Sequence, residues 1–267
     1  MGKLDFRLGR QLASYQTEDS YPTRVWPLPV RVIQALDIAV QGTTPRNIAI
    51  RYLAWVAFFL LLITGQYCKG GTDTTQPPFR LKDVQFSIGQ QPYNAATASN
   101  AVLAQVNFVS LIFTTHKNGV NGESIGHGRT GHPQLCPVAS MCRQVTYIQR
   151  HGATSKTPLS SIKKASKWQQ IRGDNIMAAI ISFVRAAGPE IGFTKADISA
   201  CSLRVGRAMA LLMARVDPDT IRLVGMWQSN TMLRYLHTTA KNFTEGLSEK
   251  MFQHGAYVLI PPARAGN

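Results

Sequence analysis

Two hydrophobic periods alternate along the chain. Apolar residues recur at helical spacing over 30–41, just past Pro29, and again over 45–64, where they thicken into the run "YLAWVAFFLLLI", Tyr52 to Ile63. The texture then changes. "LKDVQFSIG" and "VNFVSLIFTTHKNGVNGESIGHG" are rich in Val, Ile, Phe and Thr, and "KNGVNG" between two such runs is written like a β-hairpin turn, with Lys117 at its lip. Helical spacing returns over 135–150, 173–187, 195–215, 217–226 and 229–239, with "RVDPDT" supplying a capped helix start. The pattern predicts a mainly α fold with a small antiparallel β-sheet, an α+β architecture. Residues 1–29 are polar and irregular and end in "YPTRVWPLP", so they read as a lead-in or linker; 30–262 form the main domain and 263–267 a short tail.

Charge adds a partner to this picture. The 267 residues carry 29 Lys and Arg against 14 Asp and Glu, a formal net charge of +15, which suits a polyanion such as nucleic acid. The cations are concentrated: from His116 to Gly173 nine basic residues face one acid, Glu123. An imbalance of that size favours phosphate contact over an ordinary solvated face, and it makes Arg129, Arg143, Arg150, Lys156, Lys163, Lys164, Lys167 and Arg172 candidate DNA-binding residues.

Other classes fit less well. The Tyr52–Ile63 run is twelve residues, too short to cross a bilayer, and reads as a buried core helix. The first twenty residues hold charges throughout and no apolar core of a signal peptide, so no membrane association is expected. Cys68, Cys136, Cys142 and Cys201 form no C-x-x-C pair, consistent with free thiols in a nuclear or cytoplasmic chain. The spacing of His127, His132, Cys136 and Cys142 matches no standard zinc pattern, and neither metal nor cofactor is implied.

One C-terminal stretch carries more specific information. In "CSLRVGRAMALLMARVDPDTIRLVGMWQSNTMLRYLH", Arg204 is followed after twenty-two residues by Trp227 and after seven more by Tyr235. This resembles the catalytic domain of the tyrosine recombinases, the phage-integrase-like enzymes, with their His-x-x-Arg motif, Gly-x-His/Trp turn and nucleophilic tyrosine on the next helix. "FFLLLITGQYCKGG…PFRLKDVQFSIG" resembles the family's first-arginine region and first strand. "TTHKNGVNGE" resembles the hairpin bearing its lysine, and "EKMFQHGAYVLIPP" is similar to tails of recombinase-like proteins of DIRS-type and algal or protist mobile elements. The resemblance spans roughly residues 23–262.

What it implies is DNA recombination or integration without metal. Tyr235 would attack the scissile phosphate to give a 3′-phosphotyrosyl link, Arg204 would clamp the non-bridging oxygens, Trp227 would donate an indole N–H and Lys117 would protonate the leaving 5′-oxygen. Taken singly, Arg204 reads as a surface ion-pair residue, Lys117 as a turn lysine, and Trp227 and Tyr235 as core aromatics; their joint spacing is what points to the site. The partner would be double-stranded DNA, bound as a homo-oligomer. The four residues are expected to converge on one basic concavity faced by Ile63.

Departures from the family pattern are equally specific. Ile63 stands in the first arginine's place, Gln66 in the glutamate's, and Cys201 in the histidine's; Arg207 and Met226 replace smaller or more usual residues. Losing one oxyanion-type donor typically costs about a hundred- to thousandfold in rate, so the pair of losses implies very weak or absent strand cleavage. Lys69 and Arg80 are nearby cations, but a charge of arbitrary direction does not restore bidentate geometry. Relatives also carry an N-terminal helical domain that closes a clamp on DNA, where this sequence has the short lead-in. The alternative expectation is a non-catalytic DNA-binding remnant or domesticated module of the same fold.

Overall fold

The computed structural model describes residues 26–39, 44–69, 77–114, 122–132, 135–191, 194–199, 201–227 and 247–254. The fold is α+β. Helices α1 (Val30–Ala39), α2 (Pro45–Phe59) and the short α3 (Thr64–Tyr67) precede strands β1 (Val84–Ile88) and β2 (Gln91–Asn94). Next come α4 (Asn100–Gln105), β3 (Phe108–Ile112), β4 (Ser124–Gly128) and α5 (Pro137–Arg150). A second hairpin, β5 (Ser161–Lys164) and β6 (Lys167–Gln170), leads into α6 (Gly173–Ile191), α7 (Ser202–Met213), α8 (Pro218–Val224) and α9 (Leu247–His254).

Helix α2 is the centre of the core. Thr44 caps it by accepting from the Asn47 N–H, Pro45 occupies its first turn, and Ala54 to Phe58 are all buried. Five consecutive buried residues cover the whole helix circumference, so α2 must be enclosed, and it packs on α5, α7 and β5. It ends earlier than its apolar run predicts. Leu61 takes a left-handed conformation (φ 50°) and is buried with Ala208, Met209, Leu212 and Ile221 of α7 and α8. That apolar contact turns the chain where periodicity alone would continue the helix to residue 64. Among the described residues no helix is long and apolar enough to cross a membrane.

The main sheet has the order β2-β1-β3-β4 and is antiparallel throughout. Its register pairs Val84 with Leu111 and Phe86 with Val109, four buried side chains on one face, so the period of two predicted for these runs is the one that fills the core. The β3–β4 pair is the predicted hairpin, though its tip, with Lys117, lies outside the described residues.

Two further predictions change. β5–β6 was not expected, and the helix predicted over 195–215 begins only at Ser202: Asp197 accepts from the Thr194 N–H and hydroxyl, closing a separate 3₁₀ turn at Lys195–Asp197. The stretch predicted as a helix over 229–239 lies outside the described residues, Tyr235 with it. At the other end of the sequence, Leu28 is buried in the core, and its N–H donates to the Ser202 carbonyl (3.1 Å).

Candidate nucleic-acid interface

The β5–β6 hairpin is held in place from behind by α5. Buried Gln144 donates through Nε2 to the carbonyls of Leu159 (2.7 Å) and Ser161 (3.3 Å), and the Tyr147 hydroxyl accepts from the Lys163 N–H (3.0 Å). Beside the hairpin, Lys69 and Arg172 pair as a parallel bridge, with the Lys69 N–H donating to Ile171 and the Gly173 N–H donating to Lys69. Gly173 is required there, because a Cβ at that position would lie 2.2 Å from the Thr64 methyl carbon.

These contacts enclose a trough of about 960 Å³ lined by six cations: Arg46 from the first turn of α2, Lys69, Lys156, Lys163, Lys164, and Arg172 at the start of α6. Among the described residues no acidic side chain lines it. Trp168 stands at its side, 36% exposed, with the Lys163 ammonium 4.5 Å from its ring centroid. Arg172 also pairs with exposed Asp174 at 3.3 Å, a contact that solvent screens strongly.

Of the eight cations singled out from the sequence, Lys156, Lys163, Lys164 and Arg172 line this trough, and Lys167 lies directly across the hairpin from Lys164. Arg129, Arg143 and Arg150 do not line it. Arg129 Nε donates to the Val106 carbonyl (2.8 Å), Arg143 lies 5.8 Å from the Tyr52 ring centroid, and Arg150 ends α5. Sequence reasoning did not assign Arg46 or Lys69 to the binding face. Both enter from parts of the chain remote from the basic segment, and only the Thr44-Pro45 helix start hinted that Arg46 would sit at a helix N-terminus.

A second cluster forms where α7 meets the end of α8. Beyond α8 the Met226 N–H donates to Leu223 and the Trp227 N–H to Arg222, with Met226 left-handed at φ 53°. This is the Schellman arrangement with methionine in place of the usual glycine. It folds Trp227 back over Gly225, where a Cβ would meet the indole at 1.8 Å. Glycine is therefore the residue that lets the ring approach. Arg204, from the first turn of α7, lies with its guanidinium 4.4 Å from the Trp227 ring centroid and donates through Nη2 to the Gly225 carbonyl (2.6 Å).

A small cavity beside Arg204 is lined by Leu60, Leu61 and Gln66 from the end of α2 and the start of α3, by Phe113 at the root of the β3–β4 tip, and by Gly225 and Met226. The segments bearing Ile63, Arg204 and Trp227, together with the strand that leads toward Lys117, thus meet at one place. Half-buried Ile63 directs no polar side chain there; its N–H donates to Gln66 Oε1 (2.9 Å). Arg80 and Gln66 line an adjoining cavity with Phe113 and Thr114.

Cys201 is exposed just ahead of α7, near enough to Tyr67 to influence its hydroxyl. Burial raises the Tyr67 pKa well above its ordinary value, and the thiols of Cys68 and Cys201 add to the rise. Burial likewise pushes the Cys68 thiol up to about 12, so it is inert at neutral pH. One turn beyond Arg204, Arg207 is buried and meets the His127 ring on β4.

No protein-family model and no curated protein matches the chain. Among solved structures, the Tn1549 transposon integrase in complex with transposon right end DNA is similar to it, with a TM-score of 0.43 and 12% identity over 89% of this chain and 68% of that one.

Proposed function

We propose that the chain is a DNA-binding protein of tyrosine recombinase type, which holds duplex DNA against the basic trough and cleaves strands weakly or not at all. The observation that carries the DNA reading is the trough itself: six cations around one concavity, with no acid among its described lining residues. The recombinase reading rests on the motif spacing and on the meeting of Arg204 with Trp227 beside the first-arginine segment. In this reading Tyr235 is the nucleophile, Lys117 the general acid, Arg204 the remaining phosphate clamp and Trp227 an N–H donor through its ring edge, its face being turned to Arg204.

Ile63 and Cys201 favour a second reading, a non-catalytic DNA-binding module, because the transition state then lacks an arginine and an imidazole. A nicked duplex that traps any covalent tyrosyl adduct separates the two. Under the recombinase reading wild type forms little adduct, Ile63→Arg with Cys201→His forms more, and Tyr235→Phe abolishes it in either background. A folded double variant that forms no adduct supports the non-catalytic module.

Binding is tested by fluorescence anisotropy on a labelled duplex over a salt series. Affinity is expected to fall steeply with salt, with close to one unit of log–log slope per neutralised phosphate. Replacing Lys163, Lys164 and Lys167 by alanine should weaken binding and flatten the slope. A flat salt response in the wild-type protein would overturn the DNA reading.

A further inference from the structure

Duplex DNA accounts for the trough's charge but not for its aromatic wall. The bases of a duplex are stacked inside it, so an indole at the protein surface cannot reach their faces; it reaches the base of a nucleotide that has no partner strand. Trp168 is placed for such a contact. It belongs to β6, an exposed strand, and part of its indole stays open to solvent. Lys163 pairs with it across the hairpin and puts its ammonium by the ring, adding positive charge at the site where a nucleotide phosphate would lie.

The remaining lining fits the same ligand. A volume of about 960 Å³ lies at the upper end of the range of small-molecule pockets, several hundred to about a thousand Å³. Arg46, Lys69 and Arg172 come from three separate segments and offer charge for more than one phosphate. Gln169 and Gln170 are also among the lining residues, and an amide side chain both donates and accepts, which suits a base edge of any identity.

We propose that the trough is a binding site for unpaired nucleotides of a DNA strand, with a base stacked on Trp168 and the flanking phosphates held by Arg46, Lys69 and Arg172. This rests on the DNA-binding reading above and narrows it: the preferred ligand is a duplex that carries a single-stranded overhang or gap.

The test compares three labelled probes at fixed salt, by anisotropy, on the full chain: a blunt duplex, the same duplex with a five-nucleotide overhang, and that duplex with the overhang made of ribonucleotides. Wild type should bind the DNA overhang about tenfold tighter than the blunt duplex, a typical return for one stacked base. Trp168→Ala should remove that preference, costing the overhang probe more affinity than the blunt duplex, while Trp168→Phe should keep most of it. Thermal melts establish that both variants fold; should the alanine variant fail to, Trp168→Leu, which keeps apolar bulk but offers no ring face, takes its place. Equal affinity for blunt and overhang probes overturns the proposal while leaving the DNA reading intact. So does a loss in Trp168→Ala that is equal for both probes, which would mark the tryptophan as structural. Preference for the ribonucleotide overhang would assign the pocket to RNA and overturn it as well. No salt-dependent binding to any probe overturns the DNA reading and this proposal together.

Discussion

Arg204 and Arg207 stand one turn apart on α7, and the same side chain meets two different fates there. Arg204 is half-buried, lies over the Trp227 ring and bonds the Gly225 carbonyl, so its charge is shared between a π face and a carbonyl dipole at the mouth of a cavity. Arg207 is 3% exposed and faces the His127 ring; among the described residues Nη1 has no hydrogen-bond partner and no carboxylate pairs with the guanidinium. Burial brings the Arg207 pKa down to about 9, and burial with the facing guanidinium drives that of His127 down to about 3. A neutral imidazole that accepts from the guanidinium is the one form of His127 compatible with this contact. One helix thus presents a cation poised for an anion and another whose burial costs stability.

The largest test of that arrangement is the residue between them. In Gly206→Ala the new Cβ would lie 2.0 Å from the Leu28 carbonyl oxygen, backbone that cannot swing aside, so the variant should lose about 3 kcal/mol in chemical denaturation. Arg207→Met should act in the opposite direction and gain about 1–3 kcal/mol, since an apolar side chain of similar length removes an uncompensated buried charge. A destabilised Arg207→Met would mean that the Arg207–His127 contact returns more than burial costs. DNA affinity should be unaltered in this variant, because Arg207 does not line the trough.

The smallest effect is on pH dependence. His127 has a folded pKa near 3 against an ordinary value of 6.5, so between those values the unfolded chain holds a proton that the folded one lacks. Its contribution to stability is full above about 6.5 and is lost as pH falls towards 3. Thermal melts from pH 7 to pH 5 should show this loss, and His127→Gln should flatten it. In Arg207→Met the slope should be reduced only in part, because burial is the larger cause of the shift and the guanidinium the lesser.

How much of this was legible in the sequence depended on whether local chemistry and tertiary packing agreed. "KNGVNG" marked the β3–β4 hairpin because glycine and asparagine are the usual residues of tight turns, and Asp217 marked the start of α8 because its carboxylate accepts from the Asp219 and Thr220 N–H groups. The β5–β6 hairpin was illegible for the converse reason: its turn places Ala165 (φ 45°) and Ser166 (φ 62°) in the left-handed region, where the usual sequence signal is glycine or asparagine. Leu61 hid the end of α2 in the same way, as an apolar residue in an apolar run held in a left-handed turn by burial. Of the candidate site, Arg204 and Trp227 meet because the turn that ends α8 folds the indole back toward α7. The trough was not legible, because Arg46 and Lys69 are brought to the basic segment by packing alone.

The contact of Leu28 with α7 also has a consequence for how the chain reaches its fold. Leu28 bonds the Ser202 carbonyl and presses on Gly206, so a residue near the start of the described chain completes its packing against one near the end. During synthesis the ribosome releases the first helices long before α7 exists, and the apolar faces of α1 and α2 must wait exposed until it emerges. Contacts of such wide sequence separation slow folding and lengthen the time in which sticky surface is available to other chains. Yield in a host cell should therefore rise with added chaperone, with no change in the stability of the protein once it is made.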